Sequence, residues 1–118
     1  MRFKFLKGRR SIFIDVACVN WLTQFIGLMF SRRKTPIRLF SYGSYRRVPI
    51  HSWFVFYSFL IVWLDSKNRV IEWRVVKPFT SCVLPKRKAR AFLEIPLDDK
   101  YSRELKFIVG KRQTFKYN

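Results

Sequence analysis

Phe59-Leu60-Ile61-Val62-Trp63-Leu64, then Asp65-Ser66-Lys67-Asn68, then Arg69-Val70-Ile71-Glu72-Trp73-Arg74-Val75-Val76, is the stretch on which the fold turns. Two runs rich in β-branched and aromatic residues flank four residues of turn-forming type. That is the pattern of two strands joined by a hairpin loop. Upstream, Ile50 to Val55 reads as a further strand. The interval Val48 to Leu64 has no formal charge, but Pro49, His51, Ser52 and Ser58 interrupt it and its aromatics are spread throughout. A buried strand pair therefore fits it better than a membrane-spanning helix.

Outward from this centre the same pattern repeats. Met1 to Lys7 alternates basic and apolar residues, which suits a half-exposed strand or an extended arm. Gly8-Arg9-Arg10-Ser11 reads as a turn and Ser11 to Val19 as a strand. Asn20 is an N-cap candidate for a short helix over Trp21 to Phe30, with Trp21, Phe25, Leu28 and Met29 on one face. Ile37 to Phe40 is a short strand, and Ser41 to Arg47 is polar and turn-rich, hence a surface loop. Leu84 to Arg90 is a basic loop, Ala91 to Pro96 a strand, and Leu97 to Leu105 a turn or short helical piece. The expected architecture is mainly β: a compact β-sandwich or barrel-like single domain, residues 1–118, with one short helix. A basic arm, 1–10, and a basic tail, 111–118, flank its core.

The charge balance points to a partner. Lys and Arg number 25 against 7 Asp and Glu, a formal charge of +18, while 49% of the residues are hydrophobic, 19% aromatic and 13 are Phe. The apolar content excludes a merely disordered basic tail. Solubility asks for a net charge of roughly 2–8 in a small domain. The excess repels itself, and a densely negative partner relieves that repulsion while gaining affinity from counterion release.

The cations fall in clusters: Arg9-Arg10, Arg32-Arg33-Lys34, Arg46-Arg47, Lys86-Arg87-Lys88 with Arg90, and Lys111-Arg112. These are the candidate RNA contacts, through bidentate arginine and mobile lysine pairing with phosphate. Tyr42, Tyr45 and Phe115 lie beside them and are candidates for stacking on unpaired bases. No helix suits major-groove reading, and basic loops around a β body suit structured RNA. Ribosomal RNA within a ribosomal subunit is the expected partner, neighbouring ribosomal proteins are further contacts, and no membrane partner is expected. A peripheral protein on anionic membrane is the second reading, and a small-molecule binder or enzyme the third.

Catalytic stock is thin. His51 has no nucleophile or carboxylate at a recognisable spacing, Glu72 and Glu94 sit mid-strand, and no phosphate loop, nucleophile elbow or HExxH occurs. No enzyme is expected. Cys18, Cys82 and His51 are too few and too scattered for a metal site, so neither metal nor cofactor is expected. Both cysteines lie in apolar stretches and read as buried thiols. No signal peptide is expected, and the expected location is the cytoplasm.

Gly27-Leu28-Met29-Phe30-Ser31-Arg32 resembles a GLMFR-type element. His51 to Asp65 is similar to the archaeal form of a central motif that runs like HSFFMRFPIDVVFLD. Val76-Lys77-Pro78-Phe79 and Phe92-Leu93-Glu94-Ile95-Pro96 resemble KPW-type and LELP-type elements. Together, over roughly Trp21 to Gly110, the chain resembles the family known as domain of unknown function 192. That resemblance implies a small, mostly β domain and no established reaction. Departures stand at Ser58-Phe59-Leu60 in place of Pro-Ile-Asp, at Leu97 in place of glycine, and at Lys111 in place of aspartate. Functions that used those carboxylates are not carried over. A basic binding module built on the family scaffold fits these changes.

Overall fold

The computed structural model describes residues 1–19, 37–50, 58–80 and 82–110, apart from the side chains of residues 18 and 19. Among the described residues six strands form one mixed sheet: β1 (Arg2–Lys7), β2 (Arg10–Val19), β3 (Ile37–Arg46), β4 (Phe59–Leu64), β5 (Val70–Val76) and β6 (Ala89–Pro96). A 3-10 turn, Asp99–Tyr101, leads into one helix, α1 (Ser102–Val109). The order across the sheet is β1-β2-β3-β6-β4-β5. β2 and β3 are parallel and the other neighbours antiparallel. The sheet curls into a half-barrel. Leu6 of β1 reaches Arg69 before β5 as a parallel bridge, and its N–H donates to Asn68 O at 2.8 Å. The expected mainly-β domain with a short helix is what forms.

The hairpin at the centre of the sequence forms where its residues place it. Asp65 Oδ1 accepts from the backbone N–H of Lys67 (2.8 Å) and Arg69 (3.0 Å), and Oδ2 accepts from Arg69 Nε (3.1 Å). Asn68 takes φ 61°, a left-handed position asparagine tolerates. The β1–β2 turn has Gly8 at φ 62° as its first central residue, the geometry of a type II′ turn.

Two apolar layers bury the sheet. On one face Phe5, Ile14, Leu39, Leu60, Val62, Leu93 and Ile95 pack against Leu105, Phe107 and Ile108 of α1. Phe5 and Phe107 meet edge to face at 5.4 Å. On the other face Phe40, Phe59, Ile61, Trp63 and Phe92 pack with Ile50 and Val83, and Phe40 stacks on Phe92 at 4.6 Å. β4 is buried on both faces, so its sequence runs apolar without alternation. Lys7 Nζ donates to Ile108 O at the C-terminus of α1, where a cation is favourable.

Several expectations change. Ser41 to Arg47 is not a loop: β3 continues to Arg46, through Gly43 at φ 75° and a register shift between Ser41 and Arg46. Its polar side chains mark a solvated strand end rather than a turn. Met1 to Lys7 takes the strand option and pairs along its length with β2, so the basic N-terminal segment is not a free arm. Ala89 and Arg90 belong to β6, and Cys82 is exposed rather than buried. Val83 takes the inward place there by bridging to Ile50. Trp63 is in the core, whereas Trp73 is only half-buried. The helix expected over 21–30, the strand expected beyond Ile50, and His51 and Trp53 lie outside the described residues. Among the described residues no helix is long and apolar enough to cross a membrane.

Candidate nucleic-acid interface

Alternation along β3 and the closure of the half-barrel decide where the cations go. Arg46, at the end of β3, is paired in register with Ala89 at the start of β6. Next along the chain, Arg47 donates from Nε to Pro85 O at 2.8 Å, which ties the β3 end to the Lys86-Arg87-Lys88 loop. Lys86 donates its backbone N–H to Glu72 Oε1 at 2.8 Å, and Glu72 Oε2 accepts from Arg74 Nη2 at 2.9 Å. Tyr45 Oη accepts from the N–H of Ser66 at 3.1 Å, and the Arg90 guanidinium lies 5.7 Å from the Tyr45 ring centre. The N–H of Leu6 donates to Asn68 O, so β1 lies against this turn. Sequence-distant basic clusters thus meet along one rim.

Arg46, Arg47, Lys86, Arg87 and Lys88 are exposed on this rim, whereas Arg9 and Arg10 are exposed at the β1–β2 hairpin, at the opposite end of the parallel β2–β3 pair from Arg46. Arg10 also spreads over Phe107, 5.2 Å from the ring centre. Arg32, Arg33, Lys34, Lys111, Arg112 and Phe115 lie outside the described residues. Two acids temper the rim, and both are engaged. Burial pushes the Asp65 carboxyl up, but the N–H groups of Arg69 and Lys67 and the Arg69 guanidinium outweigh it and hold the group below its ordinary value. Glu72 is spent on Arg74 and on the Lys86 backbone.

The two tyrosines part company. Tyr45 is exposed on the rim, and the hydrogen bond from Ser66 lowers its phenol below the ordinary value. Tyr42 tilts its ring against Phe92 at 5.7 Å and buries its oxygen, where burial first, and the Glu94 charge second, raise its phenol. Of the two rings, Tyr45 is therefore the one open to solvent.

Sequence reasoning passed over three rim cations, Lys67, Arg69 and Arg74, because they stand singly. It also passed over Phe13, exposed on the outer face of the β1–β2 hairpin with Arg2 at 5.4 Å and Lys4 at 5.7 Å from its ring centre. The basic-apolar alternation of Met1 to Lys7 already put Arg2 and Lys4 on one face. What it lacked was the register Lys4↔Phe13.

One polar feature is buried. Arg38 and Glu94 are directly opposite across β3 and β6, on the face that carries Phe40 and Phe92. Burial pushes the Glu94 carboxyl up to about 8, with Arg38 pulling the other way. Among the described residues no group of three or more His, Cys, Asp or Glu could hold a metal ion.

No family model matches the chain, and no curated protein matches it. Solved structures share its fold. A candidate transcription regulator from Sinorhizobium meliloti 1021 superposes with a TM-score of 0.72 at 17% identity, over 87% of this chain and 84% of that one. A protein of unknown function from Novosphingobium aromaticivorans DSM 12444 gives 0.66 at 15% identity, over 86% of this chain and 77% of that one. At such identities the likeness shows the fold alone.

Proposed function

We propose that this chain is a non-catalytic, cytoplasmic RNA-binding protein, a small component of a ribosomal subunit that contacts rRNA phosphates through its cationic rim. The observation that carries the reading is the convergence of Arg46, Arg47, Lys86, Arg87 and Lys88, with Arg90 and Tyr45, at one end of the half-barrel in a chain of formal charge +18. Phosphates there would replace like-charge repulsion with charge-assisted hydrogen bonds and release counterions. Tyr45 offers a face for an unpaired base. The resemblance to domain of unknown function 192 enters as part of this proposal, its scaffold serving as a basic binding module.

Binding of structured RNA, single-stranded RNA and duplex DNA is to be measured from 50 to 300 mM salt. RNA affinity should fall steeply and linearly on a log–log plot. Replacing Lys86, Arg87 and Lys88 with alanine should flatten the slope by roughly two to three units, at about 0.7–0.9 per lost phosphate contact. A slope that ignores the triple substitution removes this loop from the interface. RNA binding no stronger than to neutral polymer at physiological salt ends the proposal. Equal or tighter binding to duplex DNA would move the partner from RNA to DNA.

A further inference from the structure

Along the first half of β2 the sheet has an edge that no described strand covers. β2 pairs with β3 only through residues 16–19, whereas residues 10–15 have β1 on one side and, among the described residues, no strand on the other. The ladder fixes which backbone groups are left over. Val16 donates its N–H to Met1 O at 2.8 Å, and steps of two from there turn Ile14, Ile12 and Arg10 toward β1. Ser11 and Phe13 therefore direct their N–H and C=O groups away from β1. Phe13 O shows that direction, because it accepts from Arg103 Nη2 of α1 at 3.3 Å. Among the described residues nothing pairs with the Phe13 N–H or with the Ser11 backbone.

A cleft follows this edge. One part, about 520 Å³, is lined by residues 11–15 together with Arg2 and Arg103. The part that adjoins it at Ser11, Ile12 and Arg103, about 330 Å³, extends to Arg10, Lys106 and Phe107. At about 3.4 Å per residue the lined length of β2 is roughly 17–20 Å, room for a strand of five or six residues.

We propose that the open edge of β2 takes an extended acidic segment of a partner protein as an added strand in this cleft. The edge offers donors and acceptors in a row, at every second residue, and another peptide backbone is what matches such a row. A phosphate chain brings acceptors for the N–H groups but no matching row of donors for the carbonyls. Charge selects the segment. Arg2, Arg10, Arg103 and Lys106 are exposed around the cleft, and Asp15 is the one acid in its lining. A second copy of this chain would bring the same cations and a formal charge of +18 against them, so self-pairing is disfavoured.

The two faces of the incoming strand meet different surroundings. α1 packs on the inner face, where Arg103 and Lys106 stand ready for carboxylates. On the outer face Phe13 is 50% exposed, with Arg2 and Lys4 beside its ring, and an apolar side chain of the added strand would cover it. Alternation of acidic and apolar residues is thus the pattern the cleft reads. Arg103 is held at Nε by Glu104, and its Nη2 caps Phe13 O. Transfer of that Nη2 to a carboxylate of the segment frees the carbonyl for a backbone N–H. Open edges are a hazard that proteins blunt with charge, and here the same charge serves to choose the partner. The inference rests on this edge alone and not on the RNA reading.

The probe is a capped octapeptide alternating glutamate and valine, titrated into the full-length, nuclease-free protein by calorimetry and followed by NMR amide exchange. Its controls are the lysine–valine octapeptide, the acidic peptide N-methylated throughout, and an oligouridylate of equal length. The acidic peptide should bind at least tenfold tighter than the lysine and N-methylated forms, and should slow exchange at the Ser11 and Phe13 amides at least tenfold. Phe13→Pro removes an edge N–H while sparing the bonds to β1, and should weaken binding tenfold or more. Phe13→Ala keeps that N–H and should cost only severalfold. Arg103→Glu should also weaken binding tenfold, and it carries the test with the exchange data if the proline variant does not fold. An acidic peptide that binds no tighter than either control peptide overturns the proposal. So do Ser11 and Phe13 amides already protected in the free monomer, which would mean that the chain covers its own edge. Protection that appears only with self-association would make the occupant a second copy, and stronger protection by oligouridylate would make it RNA; either result overturns the acidic segment.

Discussion

Glu94 is where a single residue sets a property of the whole. Its carboxyl is buried on a central strand and holds its proton up to about pH 8, against an ordinary value of 4.5. Below 4.5 the folded and unfolded chains are both protonated, and the group contributes no pH dependence. Between 4.5 and 8 the unfolded chain has lost the proton that the folded chain keeps. Stability therefore falls as pH rises through that window, at up to about 1.4 kcal/mol per pH unit, and levels off above it. Urea unfolding from pH 4 to 9 should show this decline, and Glu94→Gln should flatten it while matching or exceeding the wild type at pH 8. A stability that climbs from pH 5 to 8 would mean that Glu94 is ionised and paired. Tyr45 makes a second residue-scale case. Tyr45→Ala should weaken binding to unpaired RNA by roughly 5- to 150-fold, about 1–3 kcal/mol. Tyr45→Phe, which keeps the ring and loses only the bond from Ser66, should leave most of that affinity.

The elements show how local chemistry and packing divide the labour. The β4–β5 hairpin is written into Asp65 and Asn68, and the β1–β2 turn into Gly8, whose positive φ a side chain would strain. Gly8→Val should cost on the order of 1–3 kcal/mol, readable as a lowered melting temperature. Helix α1 is short, and a helix of this length is marginal without tertiary support. Leu105 and Ile108, both fully buried, supply that support against the inner face of the sheet. Leu105→Ala should destabilise the fold by about 2–5 kcal/mol, whereas Lys106→Ala on the exposed side should change it little. The bulged end of β3 was illegible beforehand for a related reason. Ser41 to Arg46 has loop composition, and only pairing with Ala89 and Ala91 of β6 makes it a strand.

At the scale of the molecule, charge and topology meet. Strands that are remote in sequence bring Arg46-Arg47, the Lys86 to Arg90 segment and the Ser66 to Arg69 turn to one rim, so the repulsion is concentrated rather than dispersed. A polyanion that binds the folded chain should relieve it. The melting temperature should rise with added RNA, and the rise should shrink as salt increases. A melting temperature indifferent to RNA at low salt would count against the rim as its contact surface.

The strand-rich class, the central hairpin, the apolar β4 and the large positive charge behind the proposed anionic partner follow from the chain alone, because they depend on residue type, period and net charge, which are local or additive quantities. Tertiary structure alone decided the rest: the parallel β2–β3 pairing, the exposure of Cys82 and Tyr45 against the burial of Tyr42, the rim, and the opposition of Arg38 and Glu94. Those depend on which strands become neighbours and in what register. A shift of one residue of β6 against its neighbours would turn Glu94 to the other face, and no local preference in the sequence specifies that choice.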